Sequence, residues 1–222
     1  MLYRALELTL APALRAAYRP EITGLESIPA QGPVILAGNH ISFADEFFTP
    51  LAVRRQVVYF AKAEYFTTPG VKGRLSSFFF TTLGHVPVER GDTRAAASVI
   101  DVGVNVLQQG KVLGIFPEGT RSPDGRLYKF RTGVARVALR SGAPVVPVGV
   151  VGTREVQPPG ERMWHRAPVA VHFGTPLLFG ERAGEERSAR VLREVTETVR
   201  EAVQKLSGQD YVDSFASSAR EM

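Results

Sequence analysis

Short segments that are apolar along their whole length alternate with helical patterns in this chain, and this alternation restricts the fold more than any other feature. Residues 34–37, 112–116 and 145–151 are the clearest strand-like runs, while residues 94–109 and 185–206 show helical periodicity. A strand without a polar face must be covered on both sides, as parallel strands are when helices flank them. The sequence therefore predicts an α/β fold: a mostly parallel or mixed central sheet with helices on both faces.

The chain has 222 residues, of which 44% are apolar, and this is enough for one compact domain with a sizeable core. Residues 21–206 are predicted to form that domain. A polar tail follows over residues 207–222, and we expect it to be loosely held. No long linker divides the chain, so a second domain is not expected.

Residues 1–20 are predicted to form an amphipathic helix that precedes the domain. Leu2, Leu6, Leu10 and Leu14 share one face of this helix, and charged residues run along another. Those charges argue against a signal peptide and against a spanning helix, which needs about 20 predominantly apolar residues. Two interpretations stay open: the helix packs on the domain core, or its leucines lie in a membrane interface, and both can hold at once.

The charge balance favours anionic partners. The chain has 27 Lys and Arg against 22 Asp and Glu, a net charge of +5. This suits a phospholipid surface, a phosphate-bearing substrate or nucleic acid, and does not choose among them. The aromatic residues cluster in apolar runs, such as residues 78–80, rather than alternating with basic residues. We therefore expect no nucleic-acid partner.

Because the chain has no cysteine, disulfides, thiolate metal sites and a cysteine nucleophile are all excluded. The four histidines, at positions 40, 85, 165 and 172, do not show the spacing of zinc ligands. We therefore expect no metal and no other bound cofactor.

His40 and Asp45 lie five positions apart, shortly after the apolar run at residues 34–37. Ser42 is predicted to cap a helix that starts near Phe43, which would place Asp45 in its first turn. An imidazole whose second ring nitrogen is held by a carboxylate can act as a general base toward a hydroxyl group. In isolation, however, the same spacing also fits a surface histidine near a helix-capping aspartate.

Three further blocks follow along the chain, at residues 84–90, at residues 116–121 with the sequence Phe-Pro-Glu-Gly-Thr-Arg, and at residues 145–150. Together with residues 39–45, and in this order, they resemble the motifs of the 1-acyl-sn-glycerol-3-phosphate acyltransferase family of lysophospholipid acyltransferases. The resemblance runs from about Ile22 to Phe173. It implies a glycerol-3-phosphate acyltransferase-like fold and an O-acyltransferase activity.

The resemblance also implies a role for each residue that matches a motif. His40 and Asp45 match the catalytic pair. Acceptor binding is implied for Gly84, Arg90, Glu118, Gly119, Thr120 and Arg121, with Lys62 as a weaker candidate. Pro147 matches the last motif and is implied in shaping an acyl-chain tunnel, although a proline in an edge strand explains it equally well.

Arg90 and Arg121 each follow a predicted strand, and ligands of open α/β sheets collect at strand ends. Two guanidinium groups there would suit one phosphate, although Arg90 could equally pair with a neighbouring acidic residue. Gly119 is expected to allow close backbone approach to a ligand. Glu118 is expected to orient Arg121 or the acceptor's hydroxyl, and His85 to start a strand rather than to act as a second base.

The expected reaction is direct transfer of a fatty acyl group from an acyl thioester, acyl-CoA or acyl-ACP, to the free hydroxyl of lysophosphatidic acid, which gives phosphatidic acid. Backbone amides near Ser42 or Gly119 are expected to stabilise the oxyanion. The main alternative is the same chemistry on another lysophospholipid, an amino-acid lipid or a glycolipid. A non-catalytic basic protein that binds membranes is a further alternative.

A lipid acceptor requires contact with a membrane. We expect a cytoplasmic protein that binds peripherally to the anionic inner face of the cell membrane. The candidate contacts are the first helix, the loop around Trp164, and the basic residues Arg54, Arg55, Lys72 and Arg74.

Overall fold

The structure, a computed structural model, describes residues 2–53, 55–88, 93–161 and 163–218, with the backbone alone for residues 2–9 and 93–96. The helices of these residues are α1 (Leu2–Tyr18), α2 (Asp45–Ala52), α3 (Glu64–Thr67), α4 (Gly70–Thr82), α5 (Thr93–Gln108), α6 (Gly133–Ser141), α7 (Thr153–Val156) and α8 (Ala189–Ser207). The strands are β1 (Glu21–Thr23), β2 (Val34–Gly38), β3 (Val57–Lys62), β4 (Val86–Val88), β5 (Val112–Ile115), β6 (Leu127–Tyr128), β7 (Val145–Val151), β8 (Ala170–Phe173) and β9 (Tyr211–Val212).

The main sheet runs in the order β1-β8-β7-β2-β5-β3-β4. Each neighbouring pair is parallel except β7 and β8, which are antiparallel. The prediction of a mostly parallel or mixed sheet is therefore confirmed. The strand order, which the sequence does not reveal, places β2 at the centre with β7 on one side and β5 on the other.

Helices cover both faces of this sheet, and β2 shows why its residues are all apolar. Val34 belongs to a buried cluster that includes Phe48 of α2, whereas its neighbour Ile35 belongs to a second cluster that includes Leu107 of α5. Successive residues of a strand face opposite sides of a sheet. A central strand with both sides covered therefore needs an apolar residue at every position.

The C-terminal half of α1 packs on the domain. Ala11, Leu14 and Tyr18 contact the cluster that includes Phe48, and the ring of Tyr18 lies edge-on at 5.3 Å from that of Phe48. The interpretation that this helix packs on the core therefore holds for its second half. Among the residues that the structure describes, α1 and the other helices all lack the combination of length and apolar character that crossing a bilayer requires.

β1 ends at Thr23, because Gly24 turns the chain with a φ of 74° and lies against the backbone of Phe173. Two helices start later than predicted. The helix predicted from near Phe43 begins at Asp45, with Ala44 rather than Ser42 at its N-cap position. The helix predicted from residue 185 begins at Ala189, after Ser188, whose side chain caps it. The segment between β7 and the loop around Trp164 forms the short helix α7.

The C-terminal tail is docked over residues 207–218, so the expectation of a loosely held segment is wrong for this part of it. β9 pairs in parallel with β6, and Ala216 is fully buried. Gln209 donates a side-chain hydrogen bond to the carbonyl of Gly125, and the Arg131 guanidinium lies 4.9 Å from the centre of the Phe215 ring. These few contacts hold the tail against the segment between β5 and α6.

Pro147 lies in an inner strand, so the edge-strand explanation is wrong. β7 is bonded to β2 on one side and to β8 on the other. On the second side the register shifts by one residue between the Val148–Phe173 pair and the Val145–Leu177 bridge. Pro147 falls within that shift, where a residue without an N–H group is tolerated.

Candidate active site

The carboxyl ends of the central parallel strands meet at one edge of the sheet. β2, β3, β4, β5 and β7 are linked by parallel pairings, so the segments that follow them emerge on the same side. These segments bring together His40 after β2, Lys62 at the end of β3, Phe116 after β5 and Thr153 after β7. Arg90, which follows β4, lies outside the described residues.

His40 and Asp45 are in contact, as their spacing predicted. The His40 Nδ1 atom lies 2.9 Å from Asp45 Oδ2, and the carboxylate is fully buried while the imidazole keeps 12% of its side-chain surface exposed. A carboxylate can only accept, so Nδ1 carries the hydrogen and Nε2 carries the lone pair of the neutral ring. This tautomer is the one that a general base acting through Nε2 requires.

Asp45 is held through both of its oxygens. Oδ2 also accepts hydrogen bonds from the backbone amides of Ile41 at 2.8 Å and Ser42 at 2.9 Å. Oδ1 accepts a hydrogen bond from the hydroxyl of Thr153, a fully buried residue at the start of α7. The loop after β2 and the start of α7 therefore fix the carboxylate together, and the carboxylate in turn fixes the ring of His40.

A stack of aromatic rings supports the imidazole. The ring of Phe116 lies parallel to that of His40, with centroids 4.0 Å apart and planes 9° apart. Tyr59 of β3 stacks on the other side of Phe116 at 5.2 Å. The plane of the His40 ring is therefore set by packing as well as by its bond to Asp45.

Glu118 lies beneath the loop that carries His40. It is fully buried, and its two oxygens accept hydrogen bonds from the backbone amides of His40 at 2.9 Å and Tyr128 at 3.0 Å. The backbone carbonyl of His40 is bound as well, by the amide of Ser122 at 2.7 Å. The expected contact of Glu118 with Arg121 or with a substrate hydroxyl is therefore replaced by contacts with the backbone of the loop.

Burial raises the pKa of the Glu118 carboxyl from 4.5 to about 8, because its loss of water outweighs the two amide bonds that favour the charged form. The nearby carboxylates of Asp45 and Asp124 raise this pKa a little further. Glu118 is thus a buried acid that takes up a proton well above the usual pH for a carboxyl group.

Asn39 joins the two central strands at the same edge. Its side-chain amide donates to the carbonyl of Val150 at 2.8 Å and accepts from the amide of Val150 at 2.7 Å. The side chain therefore continues the pairing of β2 with β7 just beyond the last paired residue of β2. It also anchors the residue that precedes His40.

Residues 116–121 form a tight turn at the end of β5. The amide of Gly119 donates to the carbonyl of Phe116 at 3.0 Å, and Gly119 has a φ of 77°. A Cβ atom at Gly119 would stand 3.0 Å from the side chain of Arg131, so backbone conformation and this neighbour both favour glycine. Thr120 is half-buried and Arg121 is exposed at the sheet edge.

Two other predicted acceptor-binding residues lie in different places. Lys62 is exposed at the carboxyl end of β3, on the same edge as His40. Gly84 lies before the amino end of β4, where it turns the chain out of α4 with a φ of 78° and faces the side chain of Gln56. The positive φ explains why this residue is a glycine. Gly84 lies at the opposite end of β4 from the sheet edge that holds His40.

His85 precedes β4, in agreement with its interpretation as a strand-start residue. Burial lowers the pKa of its imidazole to about 4, so the ring is neutral at neutral pH. The ring lies among those of Tyr59 and Phe80. It also borders a small apolar cavity of about 60 Å³ between α1 and α2, which Leu10, Leu14 and Phe47 help to line.

Four of the amides near Ser42 and Gly119, where oxyanion donors were expected, are already engaged. Those of Ile41 and Ser42 donate to Asp45, that of Ala44 donates to the Ser42 hydroxyl, and that of Gly119 donates within its turn. An oxyanion at this site therefore requires donors other than these four.

The residues predicted to contact a membrane differ in their surroundings. Arg55 donates to the carbonyls of Pro29, Gly32 and Gly110, so it ties loops together. Trp164 is half-buried and stacks on Phe48 at 6.1 Å. Lys72 and Arg74 of α4 are exposed, and Arg54 lies outside the described residues.

Sequence reasoning gave no role to Thr153, Asn39 or Phe116, although the latter two stand within the quoted motifs. The signal for Thr153 is weak: a small polar residue two positions after an apolar strand, which is common in loops. Among the residues that the structure describes, no group of three or more acidic or histidine side chains is arranged to hold a metal ion.

Two plant proteins are similar to this chain in sequence. The chloroplastic 1-acyl-sn-glycerol-3-phosphate acyltransferase BAT2 of Brassica napus is 32% identical over 168 residues, which cover 75% of this chain and 47% of that protein. The chloroplastic enzyme of the same name, LPAT1, of Arabidopsis thaliana is 34% identical over 162 residues, which cover 72% of this chain and 44% of that protein. The chain thus spans about half the length of these relatives.

The crystal structure of a 1-acyl-sn-glycerophosphate acyltransferase, PlsC, from Thermotoga maritima has the same fold, with a TM-score of 0.67 and 23% sequence identity. The match covers 93% of this chain and 81% of that one. The family model described as Acyltransferase matches residues 19–151, which is more than half of the chain. On these grounds the chain belongs to the Acyltransferase family.

Proposed function

We propose that the protein is an O-acyltransferase that moves a fatty acyl group from an acyl thioester, acyl-CoA or acyl-ACP, to the free hydroxyl of 1-acyl-sn-glycerol-3-phosphate, giving phosphatidic acid. The observation that carries the proposal is the bond of 2.9 Å between His40 Nδ1 and a buried Asp45 carboxylate. The names of the plant relatives support the choice of acceptor.

In the proposed reaction, Nε2 of His40 takes the proton of the acceptor hydroxyl while its oxygen attacks the thioester carbonyl. Asp45 stabilises the imidazolium that forms. The tetrahedral intermediate then expels the thiolate, which takes the proton from His40. The ester bond forms, the thioester bond breaks, and the enzyme returns to its starting state without a covalent acyl-enzyme.

Arg121 is the proposed contact for the acceptor's phosphate, with Arg90, Lys62 and Thr120 as further candidates. We call the loop of residues 39–44, which carries His40, the catalytic loop. Arg121 is exposed at the same edge of the sheet, three residues after Glu118 in the sequence. A charge-assisted hydrogen bond to phosphate contributes about 1.5–3 kcal/mol. This would make a phosphorylated acceptor bind far better than a neutral one.

The test supplies purified protein with a panel of lysolipids and with each thioester donor, and identifies products by mass spectrometry. We expect phosphatidic acid from lysophosphatidic acid, and little product from an acceptor that lacks the phosphate. Product from another lysolipid, but not from lysophosphatidic acid, would identify a different acceptor for the same chemistry.

His40→Ala is expected to lower turnover by about 10²- to 10⁴-fold, which is the usual contribution of a general base. His165→Ala is the matched control, because His165 also pairs with a carboxylate, that of Glu161 at 2.6 Å, but on the exposed surface. Full turnover by the His40→Ala protein would exclude the proposed mechanism.

A lipid acceptor also leads us to propose that the protein works peripherally at an anionic membrane, at the inner face of the cell membrane where acyl thioesters are supplied. The net charge of +5 supports an anionic surface.

A further inference from the structure

α4 carries large apolar side chains on opposite sides. Toward the domain, Phe80 is buried and stacks on Tyr65 at 4.7 Å. Toward solvent, Val71 is 83% exposed, Leu75 69% and Phe78 59%. A helix that is apolar on both sides is ordinarily enclosed on both sides. One side of α4 is enclosed by the protein, and the other is open.

The three exposed residues form one continuous strip, which we call the outer stripe of α4. Positions 71, 75 and 78 are related as i, i+4 and i+7, so they lie one above the other on a helix. Other large apolar residues with comparable exposure, such as Met163 and Leu178, occur singly. Single exposed apolar residues are normal, whereas a contiguous strip on one helix indicates a binding surface.

Positive charge borders the outer stripe on both sides. At about 100° per residue, Lys72 lies on one flank of the stripe and Arg74 on the other, and both are exposed. The sequence contains no Asp or Glu between Glu64 and Glu89, so the whole segment around α4 is free of acidic residues. Apolar residues between cations are typical of helices that lie in the interface of an anionic membrane.

An aromatic chain connects α4 with the catalytic loop. Phe43 lies between His40 and Asp45 in the sequence, and its ring is 5.2 Å from that of Phe47 in α2. Phe47 in turn is 6.2 Å from Phe79 of α4. The helix that carries the outer stripe therefore packs beside the helix that begins with Asp45. A membrane against this stripe would lie next to the candidate active site.

We propose that the outer stripe of α4 enters the interface of a membrane that contains anionic phospholipids, with Lys72 and Arg74 at the level of the headgroups. The proposal rests on the proposed function, because it assumes that the acceptor is drawn from a lipid surface. The sequence had already indicated Lys72 and Arg74 as candidate contacts, beside the first helix and the Trp164 loop, and the proposal adds the apolar stripe that lies between these two cations.

The first test removes the apolar character of the stripe in the full-length protein. The variant Val71→Ser/Leu75→Ser/Phe78→Ser is mixed with vesicles of phosphatidylcholine and phosphatidylglycerol, and bound protein is measured by co-sedimentation. We expect binding at least about tenfold weaker than that of the wild type. Leu178→Ser is the control, since Leu178 is 76% exposed but follows β8 near the amino end of β7, and it should bind as the wild type does.

The second test removes the two flanking charges. Lys72→Gln/Arg74→Gln should weaken binding to the anionic vesicles by about fivefold for each charge at low salt, and should not change the weak binding to vesicles of phosphatidylcholine alone. Lys111→Gln/Lys205→Gln lowers the net charge equally at two exposed positions outside α4. If this control loses as much binding, the effect is one of net charge and the assignment to α4 is wrong.

Two further measurements separate the possible outcomes. Acyl transfer to a lysolipid dispersed in detergent should be the same in the serine variant and the wild type, so lost activity there would mean damage to the site rather than to membrane contact. Vesicle binding needs no turnover, so it can be read even if the proposed reaction fails. Unchanged binding by the serine variant overturns the proposal. A wild-type dimer in lipid-free solution that the serine variant loses would also overturn it, because the stripe would then be covered by a second copy.

Discussion

The hydroxyl of Thr153 reaches the one oxygen of Asp45 that does not face His40. Two backbone amides and the imidazole hold the other oxygen, so the side chain of Thr153 completes the fixation of the carboxylate from a different part of the chain. Asp45 and Glu118 are both fully buried, and each accepts backbone amides near His40. The geometry of His40, the proposed base, is therefore set by buried acidic side chains and their donors.

Thr153→Val removes the hydroxyl and keeps the branched shape of the side chain. We expect kcat to fall about tenfold or more, because a hydrogen bond to a charged group contributes about 1.5–3 kcal/mol, while KM changes little. Steady-state kinetics of Thr153→Val and Thr153→Ser give the two values of kcat and KM. Thr153→Ser, which keeps the hydroxyl, should retain most of kcat.

Thr49→Val is the matched control for this substitution. Thr49 is buried in α2, and its hydroxyl has no hydrogen-bond partner among the described residues, so the same change there removes no bond. If Thr153→Ser were more damaging than Thr153→Val, the methyl group and its packing would matter instead of the hydroxyl.

The raised pKa of Glu118 predicts how stability depends on pH. The folded protein keeps the Glu118 proton up to about pH 8, whereas the unfolded chain releases it near 4.5. The contribution of this group to the free energy of unfolding is therefore complete below pH 4.5 and is lost as the pH rises through about 8. Urea unfolding at a series of pH values should show stability falling as the pH rises from about 4.5 toward about 8, and this fall should level off above about pH 8.

Glu118→Gln has no proton to lose, so it should flatten this pH dependence. It should also lower stability at neutral pH by about 1–3 kcal/mol, because its NH₂ group faces one of the two backbone amides that Glu118 accepts. An unchanged slope in the variant would assign the pH dependence to other groups.

At the scale of helices and strands, the docked tail is linked by hydrogen bonds to the candidate active site. β9 pairs with β6, whose Tyr128 donates its amide to Glu118, and Glu118 accepts the amide of His40. The tail, β6 and the catalytic loop are therefore connected through backbone pairing and through the side chain of Glu118. A substitution that displaces the tail should therefore destabilise the segment between β5 and α6.

Ala216→Asp places a carboxylate where a fully buried methyl group lies, and we expect it to lower the melting temperature clearly, since an unpaired buried charge is strongly unfavourable. Asp213→Asn, three residues away, alters an exposed ion pair with Lys129 and an exposed hydrogen bond from the Tyr211 hydroxyl, and it should change stability by about 1 kcal/mol or less. Thermal unfolding of both variants gives the comparison. Equal and small effects would mean that the tail is not docked in solution.

In the molecule as a whole, one edge of the sheet holds the catalytic loop, the turn with Arg121 and the end of β3 with Lys62. A single edge that gathers these groups suits two substrates bound side by side and a direct transfer between them.

Direct transfer predicts that no acyl group stays on the protein. Enzyme incubated with a radiolabelled acyl thioester, with or without acceptor, should carry no label after denaturation. The chain has no cysteine, and the hydroxyl of Ser42, the serine nearest to His40 in the sequence, is buried and donates to the carbonyl of Gln157. Label retained in stoichiometric amount would require an acyl-enzyme and would contradict the proposed mechanism.

Periodicity and spacing were sufficient for the fold class, for most elements and for the contact of His40 with Asp45. Runs such as residues 34–37 are apolar at every position because both faces of their strand are covered, and five residues of chain can bring a carboxylate back to an imidazole. These properties are local, so they can be recognised in the order of the residues. The loose tail was mispredicted because its docking rests on a few contacts with distant residues.

Contacts between distant parts of the chain could not be recognised in this way. Thr153 lies 108 residues from Asp45, and Glu118 lies 78 from His40, so their pairing depends on β7 and β5 flanking β2. The open side of α4 is a similar case, because its sequence places large apolar residues on opposite sides of the helix and only the packing of Phe80 shows which side the protein covers. The local sequence therefore determined that His40 and Asp45, the proposed reactive pair, lie in contact. Only the tertiary structure decided which buried residues hold this pair and which side of α4 faces outward. The physical reason is that the order of the strands and the packing of the helices bring residues far apart in the chain into contact.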